Sequence, residues 1–215
     1  MRAMVFVDYW NLQVTLQQQD GLANGLSAGE LGNHRFEIDW FQLGPKLTEL
    51  AAIHASPTDE KLDMTYEETR IYTSTDPNNP RESSYRNFVK KTLDNKPGIR
   101  VFCLDRRPKR PAVCPACHNE MDTCAHCGDQ RKFSQEKGVD TLLAVDMLRL
   151  GLDKSYDIAL LVSQDSDMAP AADHLASKGI KVIQVGLKHF GSGVAASCWA
   201  NFDLFQHREY VRRSR

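Results

Sequence analysis

The chain has 215 residues, of which 41% are hydrophobic and 26% are charged, a composition typical of a globular domain rather than a disordered chain. Its 27 Lys and Arg residues nearly balance 28 Asp and Glu residues, so the net charge of −1 excludes a globally basic nucleic-acid binder and requires a local basic patch for any such partner. No apolar run approaches the roughly 18 residues that cross a bilayer, and the short N-terminal run lacks a signal-peptide cleavage site, so we expect a cytoplasmic protein with no membrane partner.

Apolar runs that alternate with helical patterns define the organisation of the chain. We predict strands at residues 4–7, 69–73, 99–104, 158–162 and 180–185. Helices are predicted at residues 39–52 and 81–93, between Gly138 and Gly151, and up to about Ser177, whereas residues 21–32 are predicted to form a loop. This alternation predicts an α/β fold with helices on both faces of a parallel sheet, and residues 1–215 are expected to form a single domain.

Aspartates stand at the ends of two of these strands. Asp8 ends the first strand, Asp165 and Asp167 follow the fourth, and Asp140 opens a helix. The carboxyl ends of parallel strands meet at one edge, and carboxylates gathered there need a cation to remain ionised together. Mg²⁺ or Mn²⁺ would suit such oxygen ligands and would support phosphodiester hydrolysis. The alternative is that Asp140 and Asp165 only cap helices, and the spacing alone also fits a phosphotransferase.

Three motifs resemble the NYN family of PIN-like nucleases. They are the strand end at residues 6–12, Phe-Val-Asp-Tyr-Trp-Asn-Leu; Lys-Gly-Val-Asp at residues 137–140; and Ser-Gln-Asp-Ser-Asp at residues 163–167, followed by the next strand. The resemblance covers nearly the whole chain and implies a PIN-like Rossmannoid fold with strand order 3-2-1-4-5. It also implies RNA cleavage dependent on Mg²⁺ or Mn²⁺, with metal-binding and catalytic positions at Asp8, Asp140, Asp165 and Asp167 and a nearby polar residue at Asn11.

Asp146 also matches a recurrent acidic position of the family. It follows Asp140 by six residues, a rotation of about 600° around a helix, so it should point away from Asp140. We therefore expect Asp146 to have a structural role.

Four cysteines with paired spacing predict a zinc knuckle. Cys114, Cys117, Cys124 and Cys127 form two Cys-x2-Cys hooks, each of which can offer two thiolates to one structural Zn²⁺. The alternative is four unligated thiols, and His118 or His126 would be substitute ligands. We expect the knuckle to be an insertion at residues 106–134, which the family resemblance does not require.

Basic residues flank the predicted knuckle at the carboxyl end of the third strand. These candidate nucleic-acid-binding residues are Arg106, Arg107, Lys109, Arg110, Arg131 and Lys132. A solvated charged loop is the alternative interpretation. Tyr9, Trp10 and Phe133 are candidates for stacking on unpaired bases, and the basic C-terminal tail either extends this surface or is disordered.

The sequence thus predicts a metal-dependent ribonuclease that acts on single-stranded or structured RNA. A non-catalytic adaptor that binds nucleic acid or protein through the same fold is the main alternative. A DNA nuclease remains an alternative, because no residue pattern in the sequence indicates recognition of the 2′-hydroxyl of RNA. A phosphatase-like enzyme is disfavoured, because the first strand lacks the second aspartate of an Asp-x-Asp motif.

Overall fold

The computed structural model describes residues 1–56, 58, 60–108, 112–114, 116–121, 123–124, 126, 128, 134–187 and 192–214. Lys109, Arg110, Cys127, Arg131, Lys132 and Phe133, all of which the sequence marks as functional candidates, lie outside these residues. Among the described helices, none combines the length and the apolar character needed to cross a membrane.

A parallel sheet of six strands forms the centre of the molecule. Its members are β1 (Arg2–Asp8), β2 (Thr65–Thr75), β3 (Ile99–Asp105), β8 (Ile158–Val162), β9 (Lys181–Gly186) and β10 (Ala200–Asp203). They lie in the order β10-β9-β8-β1-β2-β3, and every neighbouring pair is parallel. β1 and β8 are adjacent near the middle, so Asp8 at the end of β1 lies beside the chain that leaves β8.

Four two-residue strands belong to the segment between β3 and the following helix. They are β4 (Arg107–Pro108), β5 (Ala112–Val113), β6 (Glu120–Met121) and β7 (Ser134–Gln135). β4 pairs antiparallel with β7 and β5 pairs antiparallel with β6. The β4–β7 pair is therefore a stem from which the cysteine-rich segment extends.

Helices cover both faces of the sheet. They are α1 (Tyr9–Ala23), α2 (Leu43–His54), α3 (Ser83–Asn87), α4 (Val139–Leu152), α5 (Ala169–Ser177), α6 (Ser192–Ala195) and α7 (Arg208–Val211). Short 3-10 helices occur at Pro80–Glu82, Ser166–Met168 and Leu204–His207, and a π-helical turn at Phe88–Leu93 continues α3. The helix predicted at residues 81–93 is thus three helical segments in succession.

The alternation of side chains along β1 separates two hydrophobic cores. Val5 and Val7 pack with residues of α1 and α2, including Leu16 and Leu47. Met4 and Phe6 point to the other face, where they pack with residues of α4 and α5 that include Leu143, Met147 and Leu175. Successive residues of a strand face opposite sides of the sheet, so this pattern produces the three-layer arrangement.

The start of the predicted loop and the disorder alternative for the C-terminal tail were wrong. The loop predicted at residues 21–32 begins later, because α1 continues to Ala23 and includes the buried Gly21. The C-terminal tail is ordered through residue 214, where β10 adds a sixth strand and Ile38 forms a bridge with Arg212. Local pattern missed β10 because its burial alternates within only four residues, a run too short for a clear period.

Candidate active site

Asp8 ends β1 and begins α1 at the same time. Its carboxylate accepts a hydrogen bond from the backbone N–H of Asn11 at 3.2 Å, which caps the helix. The side chain is only 7% exposed because it lies between the carboxyl ends of neighbouring strands. The sequence at this strand end thus places an acidic group in a buried position.

The chain that leaves β8 holds Asp165 and Asp167 beside β1. Asp165 accepts a hydrogen bond from the backbone N–H of Asp167 at 2.9 Å and caps the 3-10 helix, while Asp167 itself is exposed. The side-chain oxygen of Asn11, Oδ1, accepts a hydrogen bond from the backbone N–H of Gln164 at 3.0 Å. Asn11 therefore fixes the start of α1 to the end of β8, the two segments that present Asp8 and Asp165.

Asp140 enters the same region from the first turn of α4. The alternative that Asp140 caps this helix is wrong, because the N-cap is Gly138, which adopts φ 84°. A residue with a Cβ is strained in that left-handed conformation, so glycine at this position allows the chain to turn into the helix. Asp140 has no hydrogen-bond partner of its own among the described residues, and it is half-buried.

Glu136 is a site residue that the sequence analysis missed. Its Oε2 accepts a hydrogen bond from the hydroxyl of Ser74, near the end of β2. The same hydroxyl accepts a hydrogen bond from Arg106 Nε at 2.9 Å. Glu136 lies four residues before Asp140 in a loop with no regular pattern, so the only sequence signal was its position next to Lys137-Gly138. Glu136 is recognised as a site residue through its contact with Ser74, which is 62 positions away in the chain.

The electrostatics indicate that these carboxylates lie within reach of one another's charge. We refer to Asp8, Glu136, Asp140, Asp165 and Asp167 as the carboxylate cluster. Burial, followed by the charges of Asp140, Glu136 and Asp165, raises the pKa of Asp8 to about 7. Burial and the charges of Asp165, Glu136 and Asp167 also raise the pKa of Asp140. Within the described part of the chain, no Lys, Arg or His forms an ion pair with any member.

A divalent cation fits the chemistry of this cluster. Buried carboxylates without a counter-charge are costly, and a hard cation with oxygen ligands would neutralise them. As the side chains stand, no three His, Cys, Asp or Glu residues among those described are arranged to hold a metal ion. Asp8 and Asp165 instead direct carboxylate oxygens to backbone caps, so the second oxygen of each, or a side-chain rotation, would be required for ligation.

Asp146 differs from the cluster in its partners. Its Oδ2 lies 3.3 Å from Arg70 Nη1 and accepts a hydrogen bond from the hydroxyl of Tyr72 at 3.0 Å. Arg149 Nη2 lies 3.2 Å from the other oxygen. The prediction of a structural role for Asp146 is confirmed, because both of its carboxylate oxygens contact neighbouring side chains.

Two of the residues proposed for nucleic-acid contact have other partners. Arg106 pairs with Glu82 at 3.4 Å, and its guanidinium lies over the Trp10 ring, 5.3 Å from the centroid. Tyr9 is buried and stacks on Trp40 with centroids 4.4 Å apart, so the suggestion that it stacks on bases was wrong. Arg107 is exposed and remains available on the stem of the insertion.

The cysteine-rich segment shows the backbone of two similar turns. The N–H of His118 donates to the carbonyl of Cys114 at 2.8 Å, and the N–H of Gly128 donates to the carbonyl of Cys124 at 2.8 Å. His118 and Gly128 both adopt positive φ values, 60° and 71°. Hydrogen bonds from the backbone of Cys117 and Ala116 lower the pKa of the Cys114 thiol.

Comparison with known proteins places these features in a family. The model of the NYN domain matches residues 2–200. No curated protein matches the chain. A crystal structure of a protein of unknown function from Vibrio parahaemolyticus RIMD 2210633 is similar, with a TM-score of 0.51 and 14% identity over 94% of this chain and 92% of that one. At this identity the similarity concerns the fold alone.

Proposed function

We propose that this chain, which belongs to the NYN domain family, is a ribonuclease that depends on Mg²⁺ or Mn²⁺ and cleaves RNA at the carboxylate cluster. Proteins of the family are generally nucleases, which supports a hydrolase that acts on nucleic acid. The observation that carries the proposal is Asp8, a buried carboxylate whose pKa is raised to about 7 by burial and by three neighbouring carboxylates. Strongly perturbed groups of this kind concentrate at functional sites.

Each member of the cluster has a part in this proposal. Asp8, Asp140 and Asp165 would hold the cation, and the exposed Asp167 would complete its ligands from the rim of the site. A bound cation lowers the pKa of water and neutralises charge on a phosphate. Asn11 would position the two segments that carry Asp8 and Asp165, since its side chain already joins them.

Glu136 adds a fifth carboxylate to the proposed site. The hydroxyl of Ser74 orients one of its oxygens, and Arg106 in turn orients Ser74. The second oxygen of Glu136 would then accept a proton from an attacking water or bind a ligand water. We assign Arg106 to this supporting arrangement, and Arg107 to contact with the phosphate backbone.

Cleavage of labelled RNA tests the proposal. The wild-type protein should cut single-stranded RNA with Mg²⁺ or Mn²⁺ and not with EDTA. Cleavage of DNA of the same sequence measures the preference for ribose over deoxyribose. The Asp165→Asn variant should lose more than about 100-fold in rate, because removing even a residue that supports a metal ligand costs 10–100-fold. The matched control is Asp153→Asn, which changes an exposed aspartate at the end of α4 and should cut normally.

Binding without cleavage would contradict the enzyme and favour the adaptor. In that case the wild type would bind RNA in a salt-dependent way but would not cut it with either cation. Cleavage that is equally fast in Asp165→Asn would show that the activity belongs to another site or to a contaminant.

The cysteine-rich insertion is proposed to bind a structural Zn²⁺ through Cys114, Cys117, Cys124 and Cys127. Support comes from the paired spacing in the sequence, from the similar turns after Cys114 and Cys124, and from the lowered pKa of Cys114. Metal analysis should find a single zinc per chain in the wild type and less in Cys114→Ser, with Cys198→Ser as the control. Purified protein with no zinc and freely reactive thiols would contradict this proposal.

A further inference from the structure

A groove opens at the carboxyl end of β3, beside the stem of the insertion. It has a volume of about 580 Å³ and is lined by the end of β3, by Lys90 of the π-helical turn and by Lys137 and Gly138. Among the described lining residues, Asp105 is the one acidic side chain and four side chains are cationic: Lys90, Arg106, Arg107 and Lys137. We call this the basic groove.

Three of these cations have no acidic partner in the part of the chain that the structure describes. Lys90, Arg107 and Lys137 are exposed, and none forms an ion pair within the described ranges of the chain. Arg106 and Asp105 differ, because Arg106 pairs with Glu82 and Asp105 pairs with Arg86. The groove therefore presents three uncompensated positive charges in a chain whose net charge is −1.

The basic groove adjoins the carboxylate cluster along residues 136–140. Gly138 lines the groove and also caps α4, and Asp140 follows two residues later in the first turn. Lys137 lies in the groove directly after Glu136 of the cluster. A strand that crosses the cluster would therefore meet the groove next.

We propose that the basic groove binds the phosphate backbone of a single RNA strand on one side of the cleavage site, through Lys90, Arg107 and Lys137. This inference rests on the proposed function. Cationic side chains contact phosphates without regard to sequence. None of the described residues that line the groove is aromatic, so the described lining offers cations for phosphates rather than a stacking surface for bases.

The salt dependence of RNA binding tests the inference. A fluorescently labelled single-stranded RNA is titrated with protein that carries Asp165→Asn, in Mg²⁺ and at several salt concentrations. Each phosphate contact contributes about 0.7 to the slope of log affinity against log salt for single strands. Replacing Lys90, Arg107 and Lys137 with Gln together should lower this slope by about 2 and weaken binding on the order of 10–100-fold at low salt.

The matched control also removes three exposed positive charges. Lys61, Lys154 and Lys178 precede β2, β8 and β9 and so lie at the opposite edge of the sheet. Their joint replacement by Gln changes the net charge equally but should leave the slope unchanged. Thermal unfolding of both triple variants checks that each remains folded.

The outcomes separate the inference from the proposed function. If the groove variant has an unchanged slope and the wild-type protein cleaves RNA, the groove does not bind the RNA backbone. The proposed ribonuclease activity is unaffected by that result. Equal losses in the groove and control variants would indicate a general charge effect and would also overturn the proposed role of the groove. In the otherwise wild-type enzyme, the groove variant should raise KM and retain kcat at saturating RNA, whereas loss of kcat would contradict a binding role. A wild type that neither binds nor cuts RNA removes both proposals.

Discussion

At the scale of single residues, Asp8 and Asp146 are both buried but have opposite surroundings. Asp146 lies against Arg70, Tyr72 and Arg149, so its negative charge is balanced. Among the described residues, the Asp8 side chain has a single hydrogen-bond partner, a backbone N–H, and burial and neighbouring carboxylates raise its pKa to about 7. Asp146 therefore stabilises the fold, whereas Asp8 carries an electrostatic cost that is typical of a functional site.

We predict that Asp8→Asn stabilises the protein when divalent cations are removed. The pKa of Asp8 in the folded protein lies above the unfolded value near 4, so the folded state loses stability as the pH rises from about 4 to about 7. Asn is neutral and can still accept the hydrogen bond from Asn11. Urea unfolding in EDTA should show a gain of about 2–4 kcal/mol at pH 8 and a smaller gain at pH 5.

The same variant should not gain further stability from Mg²⁺, whereas the wild type should, since a ligand that binds only the folded state stabilises it. A variant that is less stable than the wild type at pH 8 in EDTA would show that Asp8 is not the strained anion that its surroundings indicate.

Asp146→Asn should behave in the opposite way. The change leaves Arg70 buried with a weaker partner, and loss of one member of a buried ion pair costs about 3 kcal/mol. Because Arg70 also contacts Glu68, some of its charge stays compensated. Chemical unfolding of Asp146→Asn and Asp140→Asn compares two aspartates of the same helix, and only the first should lose stability. Similar stability for both variants would contradict the structural role.

At the scale of elements, the packing of α2 on β2 requires a glycine. A Cβ on Gly44 would overlap the Thr69 hydroxyl and the Tyr66 ring, both on β2. The Tyr66 hydroxyl is fixed by the carbonyl of Gly98 at 2.6 Å, so the ring cannot move away freely. Gly44 thus lets α2 lie close to the sheet.

Gly44→Ala is predicted to destabilise the protein by roughly 1–3 kcal/mol, the usual cost of overpacking a core. Gly29→Ala is the control, because a Cβ at Gly29 meets no atom within 4 Å. Urea unfolding of both variants should show a lower midpoint for Gly44→Ala only. A midpoint equal to that of the wild type would mean that α2 shifts at little cost.

The stem formed by β4 and β7 connects the cysteine-rich segment to the carboxylate cluster. Arg106 directly precedes β4, Glu136 directly follows β7, and both reach the hydroxyl of Ser74. The indole N–H of Trp10 also donates to the carbonyl of Ser74 at 3.0 Å. The two ends of the insertion are therefore held at the edge of the site.

At the scale of the whole molecule, the C-terminal segment closes the fold by returning to α1. Asp20 is 1% exposed and contacts two arginines and a histidine, Arg208 at 2.8 Å, Arg212 at 3.2 Å and His34 at 2.9 Å. Arg208 and Arg212 are thus paired inside the protein, whereas Arg213 is exposed.

We predict that Asp20→Asn destabilises the whole domain at neutral pH by about 2 kcal/mol. This is less than the cost of breaking a fully buried ion pair, because Arg208 and Arg212 are partly exposed. Although burial opposes it, hydrogen bonding by Arg208, His34 and Arg212 lowers the pKa of Asp20. The contribution is therefore present above the unfolded pKa and is lost as the pH falls through the folded pKa.

Thermal unfolding across pH should accordingly show a deficit for Asp20→Asn near pH 7 that diminishes in acid. Arg213→Gln is a suitable control, because Arg213 holds the segment by its backbone N–H, which donates to Glu37. A deficit that is independent of pH would indicate lost packing rather than lost charge pairing.

The sequence by itself determined the α/β class, the positions of five parallel strands and the aspartates at their ends. These features depend on patterns within a few residues: β8 has the predicted bounds at residues 158–162 because five consecutive buried residues form it. The family resemblance added the expectation of a nuclease, and the family match supports that coarser statement.

Only the tertiary structure decided which of the polar residues act together. Glu136 joins the cluster through Ser74, Arg106 is occupied by Glu82, and Asp20 gathers Arg208 and Arg212 from about 190 positions away. Such contacts produce no periodic pattern in the sequence, because each one forms only when packing brings distant elements together. The sequence predicted where the strands end. The charged side chains that surround those ends could be identified only from the tertiary structure.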